Sequence, residues 1–248
     1  MQTALLVTLL PLVLAVYNEA PCRNQGGTCQ RTSSSCSGSY RSGLCPTQSN
    51  SIKCCVSGGG GGGSSVGGKC SGSDCTTQIS VSQVPSAKRQ GLSYLPSSTT
   101  MSHFGVPCSG SSIKSSKLNR VWGKVNLGKF NQWGMKPFLE AVARALAKLK
   151  RSNPGLYERI GTAGTFNCRK IRGRSNYSNH AYGAAIDLTI DGRVDPFANG
   201  KTYKGMIEVA KFANEEGIYW GGGFSREDAM HFEVAGETMN RWIRDGTV

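Results

Sequence analysis

Two short stretches of this 248-residue chain hold its chemistry-bearing residues: SNHAYGAAIDLTI from Ser178 to Ile190, and DAMHFEV from Asp228 to Val234. The chain has only three histidines, His103, His180 and His231, so chemistry built on a large histidine cluster is excluded. Two of the three fall in these stretches. Ile186, Leu188 and Ile190 alternate with Asp187 and Thr189, and Met230, Phe232 and Val234 alternate with His231 and Glu233. This period of two predicts two strands, each with one buried face, which aim Asp187 and His231 from the polar face. His180 lies seven residues before Asp187, and Gly183 permits a turn that folds the imidazole back beside the carboxylate. Two histidines and one carboxylate make a three-ligand zinc set with a fourth position left to water, the arrangement of a catalytic site rather than a structural one.

A zinc hydrolase also needs a base. Asp228, three residues before His231, is the first candidate, and adjacent Glu227 is the second. Developing negative charge on a substrate carbonyl calls for a cation, and Arg169 in the segment CRKIR is the choice, with Arg172 and Arg174 behind it. Trp220, in IYWGGG, suits either a core position or a substrate wall. His103, in SHFGVPC, has no partner motif and reads as structural or exposed.

Taken together, Ser178-x-His180-x-x-Gly183-x-Ala185-x-Asp187, then Trp220-Gly221-Gly222, then Asp228-x-x-His231-Phe232-Glu233 resembles the zinc D-Ala-D-Ala carboxypeptidase and L-alanyl-D-glutamate endopeptidase family of peptidoglycan peptidases. The resemblance is close from about 164 to 234 and says nothing about residues 1–75. It implies His180, Asp187 and His231 as zinc ligands, Asp228 as catalytic base, Arg169 as a substrate- or oxyanion-contacting arginine, and Ser178 as a substrate-positioning residue. The implied fold is α+β, a small antiparallel sheet flanked by helices and shared with the hedgehog signalling domain. Gly223-Phe224 departs from the family, which often has a polar residue and a tryptophan there, and this bears on substrate preference.

Helices must carry these strands. Pro137 followed by FLEAVARALAKLKR puts Phe138, Val142, Leu146 and Leu149 on one stripe, with Lys148, Lys150 and Arg151 at the end where cations suit the helix dipole. A second helix is expected from about Tyr203 to Glu216, burying Met206, Ile207, Ala210 and either Phe212 or Ala213, with Gly217 as its C-terminal stop.

The N-terminal part is different in kind. Ala4 to Val16 is an apolar run too short to span a bilayer, followed by small residues, and reads as a secretory signal over residues 1–20. Six of the ten cysteines then fall between Cys22 and Cys55, in a 21–56 module too poor in aliphatic residues to fold without disulfides. Six cysteines allow fifteen connectivities, and spacing does not choose among them. The module loosely resembles small defensin-like secreted domains. A Gly/Ser linker follows over 57–69, and the peptidase domain is assigned to 70–248. Cys70 with Cys75, and Cys108 with Cys168, are the expected pairs beyond the linker, other pairings remaining open. No C-x2-C pair exists to favour metal over disulfides.

A net charge of +14 predicts an anionic partner. Export makes that partner an extracellular polymer such as bacterial cell wall, not nucleic acid, and no membrane span is expected once the signal is removed. The expected protein is a secreted, monomeric zinc peptidase acting on peptidoglycan or muropeptides. The competing reading is a non-catalytic zinc-containing binding or signalling protein of the same fold.

Overall fold

The computed structural model describes residues 19–23, 27–36, 39–46, 48–56, 69–84 and 92–248. The apolar run read as a signal, most of the Gly/Ser linker and the region around Lys88 lie outside the described residues. The chain divides into two compact units, Met1–Ser64 and Ser65–Val248.

In the smaller unit a short helix, α1 (Ala20–Arg23), precedes β1 (Gly27–Arg31), β2 (Ser39–Arg41) and β3 (Ile52–Val56), which form an antiparallel sheet in the order β1-β3-β2. Its disulfides are Cys22–Cys54, Cys29–Cys45 and Cys36–Cys55. Neighbouring residues on a strand point to opposite faces, so the Cys54-Cys55 doublet on β3 can serve two different partners. Cys22, Cys45 and Cys54 are themselves the buried core, with Leu44 and Ile52 packed against them. Covalent staples here do the work that aliphatic side chains do in a larger domain.

The larger unit begins with the Cys70–Cys75 disulfide and β4 (Gln78–Ser80). Next come α2 (Ser97–Phe104), the strand pair β5 (Cys108–Ser109) and β6 (Ser112–Ile113), α3 (Ser116–Val121), and the hairpin β7 (Trp122–Asn126) and β8 (Asn131–Met135). The long helix α4 (Lys136–Ser152) and α5 (Pro154–Arg159) lead into β9 (Ile160–Gly164). After β10 (Ala185–Ile190) come β11 (Lys201–Tyr203), α6 (Lys204–Glu215), β12 (Ile218–Trp220), β13 (His231–Val234) and α7 (Gly236–Asp245). The central sheet is antiparallel in the order β12-β13-β10-β9. The fold is therefore α+β, as expected, and all ten cysteines are paired, including Cys108–Cys168.

One sheet face packs on α4 and α6. Phe138, Val142, Leu146 and Leu149 are buried as the stripe predicted, in one hydrophobic core with Ile186, Leu188 and Ile190 of β10 and Phe232 of β13. On α6 the buried set is Met206, Val209, Ala210 and Ala213. Val209 was not in the expected set, while Ile207 and Phe212 are only partly buried. Strand β13 starts at His231, one residue later than expected, and Met230 is half-buried beyond its end.

The expectation of one buried face per strand needs correction. All four residues of β13 are buried, as are all of β10 except half-buried Asp187. Residues 92–96 lie along the polar face, where the backbone N–H of Leu95 donates to Glu233 and that of Gly236 donates to the Ser93 carbonyl. Polar groups so covered must find partners within the protein, because a buried unpaired charge costs several kcal/mol.

Candidate metal centre

The register of the sheet builds the site. In the β10–β13 pair Asp187 stands opposite His231 and Ile186 opposite Phe232, so one face receives the ligand-type side chains and the other the core. Opposite residues sit close enough for their side chains to touch. Asp187 Oδ1 lies 3.2 Å from His231 Nδ1.

His180 arrives from a single 3-10 turn, Asn179–Tyr182. Ser178 caps this turn, its Oγ accepting from the His180 backbone N–H. Gly183 ends it in the left-handed region at φ 60°, with its N–H bonded back to the Asn179 and His180 carbonyls. A Cβ at Gly183 would stand 2.5 Å from Trp122 and 2.6 Å from Gly134 Cα, so both conformation and space demand glycine. The turn thereby sets His180 Nε2 at 3.2 Å from Asp187 Oδ1 and 3.1 Å from His231 Nδ1.

The three atoms belong to one potential metal-binding group, all within 4.8 Å of one another. Their chemistry fits a metal. Nδ1 of His180 lies 2.8 Å from the Thr165 carbonyl, which can only accept, so in the neutral ring the proton sits on Nδ1 and Nε2 offers its lone pair. His231 is turned the other way, with Nε2 3.0 Å from Glu233 Oε2 and Nδ1 toward Asp187. Burial opposes ionisation of Asp187, but its close approach to the His180 and His231 rings outweighs it and holds the carboxyl well below the usual range. Burial likewise disfavours a charged His231, yet bonding to the Asp187 and Glu233 carboxylates raises its pKa to about 10. Binding of a divalent cation here would require His231 to release its Nδ1 proton, so metal affinity should fall as pH is lowered.

Asp228 stands beside the group. The Trp220-Gly221-Gly222 step brings it there: a Cβ on Gly221 would lie 2.4 Å from the Asp228 carbonyl, and the Asp228 N–H donates to the Gly221 carbonyl. Asp228 Oδ1 is buried and has no hydrogen-bond partner among the described residues. Burial and the charge of Asp187 raise its pKa, against the pull of His231, His180 and Arg169. An unpartnered buried oxygen is costly, and proximity to a metal and its water ligand is one arrangement that would repay it.

Other expected residues fall differently. Arg169 is exposed, on a turn from Cys168 to Tyr177 that also exposes Lys170, Arg172 and Arg174. Its charge reaches Asp228. Glu227, the second choice of base, is engaged elsewhere, with Oε1 accepting from the Gly200 N–H. Trp220 is 1% exposed, and its Nε1 donates to the Ala229 carbonyl, so it is a core residue that braces the Asp228 loop instead of a substrate wall. Ser178 is buried too, and shapes the His180 turn instead of offering a surface to substrate. Sequence reasoning overlooked Thr165 and Asn179. It noted Glu233 only as a polar-face residue, although the alternation that selected His231 also places Glu233 beside it.

Beside His231, the Phe224 ring packs at 5.7 Å between centroids, and it also meets Tyr219 and Tyr94. The departure at Gly223-Phe224 thus supplies an aromatic neighbour to the site.

Comparison with known families agrees with this geometry. No curated protein matches the chain. Residues 12–58 match a family model described as the scoloptoxin-like N-terminal domain, which spans the small disulfide-rich unit. Residues 172–234 match a family model described as D-alanyl-D-alanine carboxypeptidase. That match includes His180, Asp187, Asp228 and His231 and begins just after Arg169, so the larger unit carries a peptidase-family segment at the centre the sheet assembles.

Proposed function

We propose that the protein is a secreted zinc peptidase that hydrolyses peptide bonds in the stem peptide of bacterial peptidoglycan. The observation that carries this reading is the convergence of His180 Nε2, Asp187 Oδ1 and His231 Nδ1 beside a buried, unpartnered oxygen of Asp228. Two imidazole nitrogens and one carboxylate suit zinc, and leave room for water and substrate. When bound, zinc supplies a Lewis acid that polarises the scissile carbonyl and makes water acidic enough to react near neutral pH.

The protein's own groups do the rest. Asp228 takes a proton from the attacking water at Oδ1 and later returns it to the leaving amine. Its raised pKa brings the carboxyl closer to the operating pH than an ordinary aspartate, which suits a group that must both accept and release a proton. Arg169, exposed and within electrostatic reach of Asp228, faces substrate charge, either the oxyanion or a peptide carboxylate. Asp187 and the two histidines stay fixed, because each has a second partner or a strand behind it.

Export agrees with the cysteine usage: all ten cysteines are paired, and disulfides persist outside the cytosol. Among the described residues no helix is long and apolar enough to cross a membrane. A net charge of +14 favours a polyanionic wall as the medium in which a monomeric enzyme works.

A non-catalytic binding protein of the same fold would have no need of a carboxylate beside the metal, and Asp228 therefore favours the enzyme. The deciding experiment is incubation of the zinc-loaded protein with defined muropeptides and mass spectrometry of the products. Loss of a terminal D-alanine identifies a carboxypeptidase, and an internal cut an endopeptidase. Intact muropeptides after prolonged incubation would leave the binding protein.

A further inference from the structure

Glu233 is not among the three ligand residues, and it is 4% exposed. A carboxylate in such a place is tolerable only if its oxygens are satisfied. Both are. Oε2 lies 3.0 Å from His231 Nε2 and accepts from Asn179 Nδ2 at 2.8 Å, while Oε1 accepts from the Leu95 N–H at 2.8 Å. Asn179 is held in turn, since its Nδ2 also donates to the Leu95 carbonyl at 3.0 Å and its Oδ1 accepts from Thr100 Oγ1 at 3.4 Å.

This arrangement bears on both histidines. His231 and Glu233 are two apart on β13, so their side chains share a face. The strand fixes the His231 Cβ, but rotation about the next bond can still carry Nδ1 away from Asp187. An acceptor at Nε2 removes that freedom and determines which nitrogen keeps the proton. Asn179 immediately precedes His180 in the 3-10 turn, so the carboxylate that orients one histidine also anchors the turn presenting the other.

We propose that Glu233 is a positioning residue for the metal centre: by accepting the Nε2 proton of His231 it leaves Nδ1 as the metal-binding nitrogen, and through Asn179 it ties the His180 turn to the same point. This rests on the metal-centre reading above and adds a residue that acts through the ligands without touching the metal.

Zinc affinity by chelator competition, independent of any peptidase assay, tests it. Partners of metal-bound histidines are typically worth about 10- to 100-fold in affinity, and Glu233→Ala should lose that much while keeping its fold by circular dichroism. Glu233→Gln, which still offers His231 an acceptor oxygen, should recover part of the loss. Glu237→Ala is the control, because Glu237 holds the neighbouring Ser93 backbone and hydroxyl without approaching His231. Long-range proton–nitrogen NMR of the zinc-loaded, histidine-labelled wild type should find the His231 proton on Nε2. Should Glu233→Ala fail to fold, that spectrum and the Gln variant decide.

An unprotonated Nε2 in the loaded wild type overturns the proposal. So does zinc affinity within about twofold of wild type in Glu233→Ala, against the 10- to 100-fold expected. Equal losses in Glu233→Ala and Glu237→Ala also overturn it, assigning the effect to the 92–96 segment. A wild-type chain that takes up no zinc overturns this proposal and the metal-centre reading together, whereas zinc uptake with no muropeptide cleavage overturns only the enzymatic reading.

Discussion

Asp187 faces His231 across one pair of antiparallel strands, and its Oδ1 lies 3.2 Å both from Nδ1 of that ring and from Nε2 of His180. One carboxylate oxygen thus stands within reach of both imidazoles. The register of β10 and β13 brings two ligand residues together, and the turn at Gly183 delivers the third.

Asp228 is not one of the three ligand residues, so base and ligands should separate experimentally. Asp228→Asn should retain about one zinc per chain, because none of the three ligand atoms is altered, while losing about 10²- to 10⁴-fold in muropeptide hydrolysis. Elemental analysis gives the first quantity and product mass spectrometry the second. Wild-type turnover in this variant would remove Asp228 from the mechanism.

How much of this was legible in the sequence depended on distance along the chain. Asp187 and His231 were found because alternation is local: the same period that buries Ile186 and Phe232 turns their neighbours to the other face. The α4 stripe was legible for the same reason, with a period of 3.6 instead of two. Alternation places Glu233 beside His231, but the partners that hold its carboxylate were not legible, because Leu95 is 138 residues away and Asn179 is 54. Thr165, which fixes the His180 tautomer, belongs to no motif and acts through its carbonyl, which every residue possesses. The sequence leaves Trp220 open between a core position and a substrate wall. An aromatic residue beside glycines suggests a substrate wall, but here the glycines admit the Asp228 backbone and the indole fills the core behind it.

Gly183 offers a stability test with an internal control. Gly183→Ala imposes a left-handed alanine and a collision with Trp122 and the Gly134 backbone, whereas Gly173→Ala, at φ 74°, meets nothing within 4 Å. A left-handed non-glycine residue costs about 1–3 kcal/mol, and overpacking adds about as much again. Urea unfolding should therefore rank wild type above Gly173→Ala and Gly173→Ala above Gly183→Ala. Zinc affinity should fall in Gly183→Ala only. Equal effects at the two sites would mean that the hairpin does not press on the turn.

A surface network joins α4 to the end of α6. Lys148 Nζ lies 2.6 Å from Glu216 Oε1, and Arg144 Nε donates to Glu216 Oε2 at 2.7 Å. Burial opposes the charge on Glu216, but hydrogen bonds from Lys148 and Arg144 prevail and lower its pKa below the ordinary 4.5. A depressed carboxyl contributes stability that is fully present above its unfolded pKa and lost as pH falls through the folded value. The bond to Glu216 raises Lys148, whose contribution is present below its ordinary 10.5 and lost as pH rises through its folded value. Between those limits Glu216→Gln should cost no more than about 1 kcal/mol, because Arg144 is solvent-exposed and screening is strong. The difference from wild type should shrink below pH 4.5, as urea titrations at pH 7 and pH 3 would reveal. A constant difference across that range would assign the loss to packing.

The Cys108–Cys168 disulfide joins the β5 edge to the residue before Arg169, across 60 positions of sequence. Closing a loop of that length removes chain entropy from the unfolded state worth about 4 kcal/mol. Replacing both cysteines with serine should lower unfolding stability by about 2–4 kcal/mol, since measured values fall at or below the entropic figure. The effect on catalysis should have a different character. Arg169 lies on an exposed turn, so freeing Cys168 loosens the guanidinium without disturbing His180, Asp187 or His231. Zinc affinity should therefore stay near wild type while KM for muropeptides rises, measured at a temperature where both proteins remain folded. A change in zinc affinity instead would mean that the staple holds the ligand turn itself, through the bond from the Asn167 N–H to the His180 carbonyl.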